Sequence, residues 1–406
     1  MLRATPANPV AVPNHSNAEV ARICSQRTDK EPECGSLGPA RRGSAARARR
    51  RQLGYSAHVS ASISELRVRN FGCIQNLDLS GLGRLHAFIG PNDSGKSTIL
   101  RAVRTLCHGM FHSWSTVDGQ MEPFQPGLEA PYELHMSGSD FELSLVQSKG
   151  GKAINTCRWR GQPFRTDEWS PELTPRQGVV QPSEQGVFRS PPLMLRLDAD
   201  VLKAPSGLIE DGQVLQFGDE RGAGLAGVYD AIRNRGDDAF SEISSSVRAL
   251  FPTVQFVGLR NATSTTKELQ IELKDGTKVP ASALSEGLLY YLAFAALPYL
   301  GQPPVILIEE PENGLHPARI GDVVEVLRAV SEHSQVFMAT HSPLVVNELQ
   351  PEEVYVTTRD LERGTSVTRL DDTANFEERA SVYQNGELWI AYADGESESA
   401  LLGQDS

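Results

Sequence analysis

Cysteine is scarce in this chain. Five cysteines in 406 residues, Cys24, Cys34, Cys73, Cys107 and Cys157, are odd in number, scattered and never spaced C-x-x-C. Neither a disulfide framework nor a zinc site is indicated, and a reducing, cytoplasmic compartment is the expectation. Long apolar runs are missing too: nothing approaches the ~18 residues of a membrane span. No apolar h-region marks a secretory signal. Basic charge is in deficit. Against 39 Lys and Arg stand 51 Asp and Glu, a formal net charge of −12. That argues against broad non-specific affinity for nucleic acid and leaves a local basic groove as the means of such contact. Sustained heptads are absent between Lys96 and Ser285, where Pro-rich loops and short strands stand instead, so no long coiled coil is expected. What remains is globular: 39% hydrophobic and 22% charged residues, at a length fit for one large domain or two ordinary ones.

One stretch organises the rest. Gly90-Pro91-Asn92-Asp93-Ser94-Gly95-Lys96-Ser97-Thr98 fits G-x-x-x-x-G-K-[ST], the loop that cradles nucleotide phosphates. Leu85 to Ile89 before it reads as a buried strand. Ile99, Leu100, Ala102, Val103 and Leu106 after it recur at helical spacing. Strand, glycine-rich turn and helix N-terminus together make an anion site, with backbone N–H groups and the helix dipole aimed at the phosphates. Lys96 is placed to reach the outer phosphates and the Ser97 hydroxyl to ligate Mg²⁺.

Residues 1–60 are rich in Pro, Ala, Ser and Arg and carry a basic run, Arg41, Arg42, Arg47, Arg49, Arg50 and Arg51. A nucleic-acid arm or targeting segment is one reading. The composition favours a plainer one, a disordered extension or a start site set too far upstream. Residues 61–370 read as one head. Ile63 to Val68 and Leu77 to Leu79 are strands flanking an Asn70-Phe71-Gly72 turn. Arg69, at the end of the first, either reaches nucleotide phosphate or faces solvent. Gly119 to Pro192 is loop-rich, with strands at Phe141 to Val146 and Ile154 to Trp159 that continue an antiparallel sheet. A glutamine sensing the γ-phosphate is expected past the first helix, with Gln120 and Gln125 as candidates. A short strand at Leu193 to Leu197 is followed by a helical lobe over about 216–300. There Gly224 to Arg233 and Asp237 to Leu250 show helical spacing, and Val254 to Leu259 and Leu269 to Leu273 read as strands.

Leu284-Ser285-Glu286-Gly287-Leu288-Leu289 opens a helix expected to reach about Leu300, with Ser285 as its N-cap. Val305-Ile306-Leu307-Ile308 is a continuous apolar run ending in Glu309-Glu310, the mark of a buried parallel strand delivering two carboxylates at its C-terminal edge. Pro311-Glu312-Asn313-Gly314-Leu315-His316-Pro317 is the turn after it, and a helix is expected from Ala318 to Val330. Val336 to Ala339 is another buried strand, ending at Thr340-His341-Ser342-Pro343. Val354 to Thr357 and Ser366 to Arg369 finish the sheet. Residues 371–406 form an acidic, weakly patterned tail, with Leu388-Trp389-Ile390 its one apolar stretch.

The order of these signals resembles the ABC-class ATPase heads, and within them the AAA-type ATPases related to RecF, SMC heads and the overcoming-lysogenisation-defect (OLD) proteins. Ile63-Ser64-Glu65-Leu66-Arg67-Val68-Arg69-Asn70-Phe71-Gly72, the stretch at Leu284 and Glu309-Glu310-Pro311-Glu312-Asn313-Gly314-Leu315-His316-Pro317 carry the likeness, which covers about Ile63 to Arg369. It implies an α/β P-loop NTPase head with an antiparallel β subdomain and a helical signature-motif lobe, acting as a Mg²⁺-dependent ATPase. Ser97 and Glu309 would hold Mg²⁺, Glu309 through water, because it is one methylene longer than the Asp usual there. Glu310 would polarise the attacking water and His341 would contact the γ-phosphate. Ser285, Glu286 and Gly287 would contact ATP held by a second copy, and Asn313 and Gly314 would line the dimer seam.

The resemblance points to an ATP-dependent homodimer in phage defence or DNA repair, with a separate effector such as a nuclease and with nucleic acid as a further candidate partner. Three alternatives compete. A transporter's nucleotide-binding subunit would carry glutamine in its signature, which Leu284 to Leu289 lacks. An OLD nuclease needs an acidic metal-binding domain, and 65 residues follow His341 in the 406-residue chain, short for one. An SMC-like tether needs the missing heptads. With Glu309 and Glu310 committed at the P-loop, and Glu396 and Glu398 reading as exposed charges, the chain itself is not expected to cut nucleic acid.

Overall fold

The computed structural model describes residues 62–111, 131–147, 153–159, 162–165, 191–235, 238–360 and 364–373, together with Phe376 and Asn385. By contact density the chain divides into Met1–Tyr55 and Ser56–Ser406. The basic run from Arg41, the candidates Gln120 and Gln125, and Leu388, Glu396 and Glu398 all lie outside the described residues.

Strands β1 (Ile63–Phe71) and β2 (Ile74–Ser80) form a hairpin. Its turn carries Asn70 and Gly72 at φ of 51° and 59°. β3 (Leu85–Ile89) runs through the glycine-rich loop into α1 (Lys96–Phe111). β4 (Tyr132–Gly138), β5 (Phe141–Gln147), β6 (Ala153–Trp159) and β7 (Gln162–Arg165) extend the hairpin into a six-stranded antiparallel sheet, ordered β2-β1-β4-β5-β6-β7. β8 (Leu193–Leu195), α2 (Ala199–Leu202) and β9 (Ser206–Gly207) lead to α3 (Leu225–Asn234) and α4 (Ala239–Leu250). β10 (Val254–Asn261), β11 (Thr266–Leu273) and β12 (Lys278–Pro280) form a second antiparallel sheet, and β9 also pairs with β11. After α5 (Glu286–Ala296) come β13 (Val305–Glu309), α6 (Ile320–Ser331), β14 (Gln335–Thr340), α7 (Pro343–Asn347), β15 (Val354–Asp360) and β16 (Gly364–Arg369). The third sheet runs β16-β15-β3-β14-β13-β8. Every pairing in it is parallel except β15 with β16.

That sheet is buried on both faces, which is why its strands read as unbroken apolar runs. Ala87, Ile89, Ile306, Ile308, Val336 and Met338 face a core built with α3 to α6. Phe88, Leu307, Phe337 and Ala339 face a second core shared with α1 and the inner side of the antiparallel sheet, including Leu66, Val68, Leu134 and Leu143. Each large side chain so buried stabilises the fold by about 1.5–3 kcal/mol relative to exposure. A polar pin joins the layers at the far end from the loop. The Gln335 amide accepts from the Ile63 N–H at 2.8 Å and donates to the Ile63 and Gly83 carbonyls at 2.8 and 2.7 Å. His86 lies beside it between the Phe337 and Tyr355 rings. Burial pulls its imidazole down to about pKa 4, so it packs uncharged near neutral pH.

Several boundaries differ from expectation for local reasons. The helix after Ser285 ends at Ala296, not Leu300, because Pro298 has no N–H to continue it, and a 3-10 turn takes over. Another 3-10 turn, Pro317–Arg319, precedes α6. β8 stops at Leu195, two residues early, since the Asp198 carboxylate caps α2 by accepting from the Asp200 and Val201 N–H groups at 2.9 and 3.2 Å. Arg69 neither reaches the loop nor floats in solvent. It donates to both Asp78 oxygens at 2.7 and 2.8 Å and to the Leu77 carbonyl at 2.8 Å, locking the β1–β2 hairpin.

Candidate functional site

The C-terminal ends of β3, β8, β13 and β14 share one edge of the parallel sheet, where open α/β sheets bind ligands. Gly90 opens the loop after β3, and it must be glycine because a Cβ there would lie 2.0 Å from the Thr357 carbonyl oxygen of β15. Gly95 is held at φ 108°, where a Cβ would meet Thr365 Oγ1 at 2.6 Å. The β15–β16 hairpin thus presses on the loop and fixes its path. Thr365 Oγ1 donates to the Ser94 carbonyl at 2.9 Å and Arg359 to the Asp93 carbonyl at 3.3 Å. Ser94 Oγ is buried with no hydrogen-bond partner among the described residues. Lys96 Nζ donates to the Gly90 and Pro91 carbonyls at 2.8 and 2.7 Å, folded over the loop it belongs to. Burial lowers the Lys96 pKa, while the charges of Glu310, Glu312 and Asp93 pull the other way. The first turn of α1 carries no acidic residue to oppose an anion at its N-terminus.

β13 delivers the carboxylates. Glu309 pairs in register with Ala339 of β14. At Glu310 the backbone turns into the left-handed region, φ 50°, while its N–H still donates to the Ala339 carbonyl at 2.8 Å. The reversal gives the two neighbouring carboxylates different surroundings. Glu309 is 14% exposed with Arg196 Nε 3.6 Å from its Oε2. Glu310 is 48% exposed with Oε1 3.7 Å from His341 Nδ1. Glu312, at 10% exposure, holds the end of β14. Its Oε1 accepts from Thr340 Oγ1 at 2.7 Å and the His341 N–H at 3.2 Å, and its Oε2 is buried without a partner among the described residues.

The signature stretch sits on the turn after β13. Ser285 occupies the N-cap of α5, yet its side chain makes no capping bond and is exposed. A Cβ on Gly287 would lie 3.0 Å from the Gly314 carbonyl oxygen. Gly314, at φ 69°, would press a Cβ to 2.1 Å from the Tyr290 ring. The start of α5 thus packs through Gly287 and Tyr290 on the turn at Gly314, and Ser285, Glu286, Asn313 and Gly314 are all exposed.

The structure brings the loop Gly90–Thr98, Glu309, Glu310 and His341 to one sheet edge and seats Ser285, Glu286 and Gly287 against Asn313 and Gly314. Sequence reasoning missed Glu312, Thr340 and Arg196. Glu312 stood in plain view beside Glu310, but its partners lie on another strand. For a metal, the loop and β13 offer the Ser97 hydroxyl and the Glu309 carboxylate, hard oxygens of the kind Mg²⁺ prefers. Among the described residues no group of three or more His, Cys, Asp or Glu is arranged to hold a metal by itself. The donor set therefore fits an ion that brings phosphate oxygens and water with it.

Comparison with known proteins bears on the family and the fold. A family model described as "AAA domain, putative AbiEii toxin, Type IV TA system" matches residues 85–347. The chain is 51% identical over 41 residues to an OLD nuclease of Thermus scotoductus, covering 10% of this chain and 8% of the relative's length. It is 21% identical over 328 residues to an ATP/GTP phosphatase of Helicobacter pylori, covering 69% and 85% of the two chains. Among solved structures, an SMC head bound to the C-winged helix domain of ScpA matches at 16% identity and a TM-score of 0.52, over 75% of this chain and 97% of that one. The chain belongs to the AAA-domain family whose model spans its loop, carboxylate strand and signature helix, and it is a P-loop ATPase built on an ABC-like head.

Proposed function

We propose that the chain binds MgATP on Gly90–Thr98 and hydrolyses it at a site that a second copy completes. The observation that carries this reading is the meeting of Glu310 and His341, 3.7 Å apart, at the sheet edge that also presents Lys96. Lys96 exchanges its loop carbonyls for the outer phosphates, a charge-assisted and stronger partnership. Ser97, and Glu309 through water, would hold Mg²⁺, which would neutralise phosphate charge. Glu310 accepts the proton of the attacking water, and His341 orients the γ-phosphate. The exposed Ser285 and the half-buried Gly287, at a helix N-terminus, suit the γ-phosphate of ATP held by the other copy, with Asn313 and Gly314 along the seam. Glu310→Gln tests the assignment. It should bind ATP within about threefold of wild type and lose turnover by about 100-fold or more, while Lys96→Ala should lose binding itself. Wild-type turnover in Glu310→Gln contradicts the role.

We further infer a cytoplasmic role in phage defence or DNA repair, through a separate effector docking on the ATP-closed dimer. Three likenesses support it: a family described as a putative AbiEii toxin, a short strong match to an OLD nuclease, and a head of the kind that binds a ScpA domain. No helix among the described residues is long and apolar enough to cross a membrane.

A further inference from the structure

Arg196 has no part in the roles assigned so far. It follows β8, the edge strand of the parallel sheet, and its place is set by pairing. β8 runs parallel to β13 with Leu195 opposite Ile308, so the next step along both strands sets Arg196 beside Glu309. The Arg196 side chain is 75% exposed and its Nε stands 3.6 Å from Glu309 Oε2. That separation is longer than a hydrogen bond. A loose, solvated ion pair of this kind is readily exchanged for a stronger anion.

The main chain behind Arg196 leads elsewhere. The Arg196 N–H donates to the Glu220 carbonyl at 2.8 Å. Two residues on, Asp198 caps α2 and accepts from Arg221 at 2.7 Å. α2 packs on α5, the helix that carries Tyr290. The same Tyr290 ring closes over Gly314. One short path therefore joins the guanidinium beside Glu309 to the N-terminus of the signature helix.

We propose that Arg196 senses the outermost phosphate of the nucleotide bound in the same copy. Without nucleotide it rests on Glu309. With MgATP it turns to the γ-phosphate, freeing Glu309 for the metal side of the site. α2 carries the shift to α5 and so to Ser285. Arginine suits the task because it is a permanent cation whose planar fork binds phosphate through two parallel N–H donors. ADP has no γ-phosphate and leaves Arg196 where it was. The proposal rests on the MgATP reading above and adds to it a means of telling ATP from ADP.

Calorimetric titration of dilute protein with Mg²⁺ and either AMP-PNP or ADP tests it, using wild type, Arg196→Ala and Arg196→Lys, with hydrogen exchange followed over residues 199–203 and 285–292. Arg196→Ala should weaken AMP-PNP by ~10- to 100-fold, the scale of one lost charge-assisted bond, and leave ADP within about twofold. Arg196→Lys should fall between, keeping the charge without the fork. AMP-PNP should slow exchange in both segments of the wild type and in neither segment of Arg196→Ala. Equal weakening of both nucleotides, or of neither, reduces Arg196 to a surface ion pair and overturns the proposal. A wild type that binds neither nucleotide overturns the MgATP reading itself, so the two failures are distinct.

Discussion

Glu310 sits in a backbone conformation that L side chains rarely adopt, φ 50°, at a cost of about 1 kcal/mol or somewhat more. Two bonds keep it there: its own N–H to Ala339 and the Asn313 N–H to its carbonyl at 2.9 Å. The strain has a use, since it separates Glu309, turned toward Arg196, from Glu310, turned toward His341. Glu312 supports the same arrangement from below. Glu312→Ala would leave the Thr340 hydroxyl and the His341 N–H without their acceptor, which costs about 1–3 kcal/mol and loosens His341. Its denaturation midpoint should fall accordingly, and kcat should drop by about tenfold with KM little changed. Glu312→Gln keeps a carbonyl oxygen in place and should recover most of both. Identical behaviour of the Ala and Gln variants would show that the acceptor does not matter.

Among elements, the seam between α5 and the turn after β13 is a close contact beside the site. Gly314→Ala would add strain at φ 69° and drive a Cβ to 2.1 Å from the Tyr290 ring. Relief requires the Tyr290 ring, the turn or the helix end to shift. Stability should fall by about 1–3 kcal/mol, read by chemical denaturation, and ATPase activity should fall further than that loss explains. ATP binding to the single copy should survive, because the loop is held by β15 and β16 and not by α5. The elements themselves were unequally legible. β3, β13 and β14 are buried on both faces, so the sequence shows them as apolar runs, and Glu309-Glu310 follows one of them directly. β8 is three residues long, too short for a period to declare itself. Arg196 matters through its pairing with β13, a tertiary fact. α2 exists because of one capping aspartate. β4 alternates cleanly at Tyr132, Leu134 and Met136, but the Gly- and Pro-rich stretch around it hides the pattern. Glu312 was visible as a residue and invisible as a contact, since Thr340 and His341 reach it only when β14 lies beside β13.

At the scale of the molecule, the parts expected to touch nucleotide fall into two groups. The loop, Glu309, Glu310 and His341 lie at one sheet edge, whereas Ser285, Glu286, Asn313 and Gly314 are exposed on α5 and the turn after β13. Two copies facing each other would bring each group against the other's counterpart, giving two equivalent sites in the isologous manner of a two-fold dimer. ATP would then be both substrate and glue, shifting the population toward the closed pair in proportion to its extra affinity for that state. Hydrolysis would reopen it. Sedimentation velocity on Glu310→Gln, at saturating MgATP and then MgADP, addresses this most directly. A species of twice the 44.3 kDa chain mass is expected with ATP, a single chain with ADP, and no dimer under either nucleotide once Ser285→Arg is added. A protein that binds ATP to saturation and still sediments as one chain would contradict it.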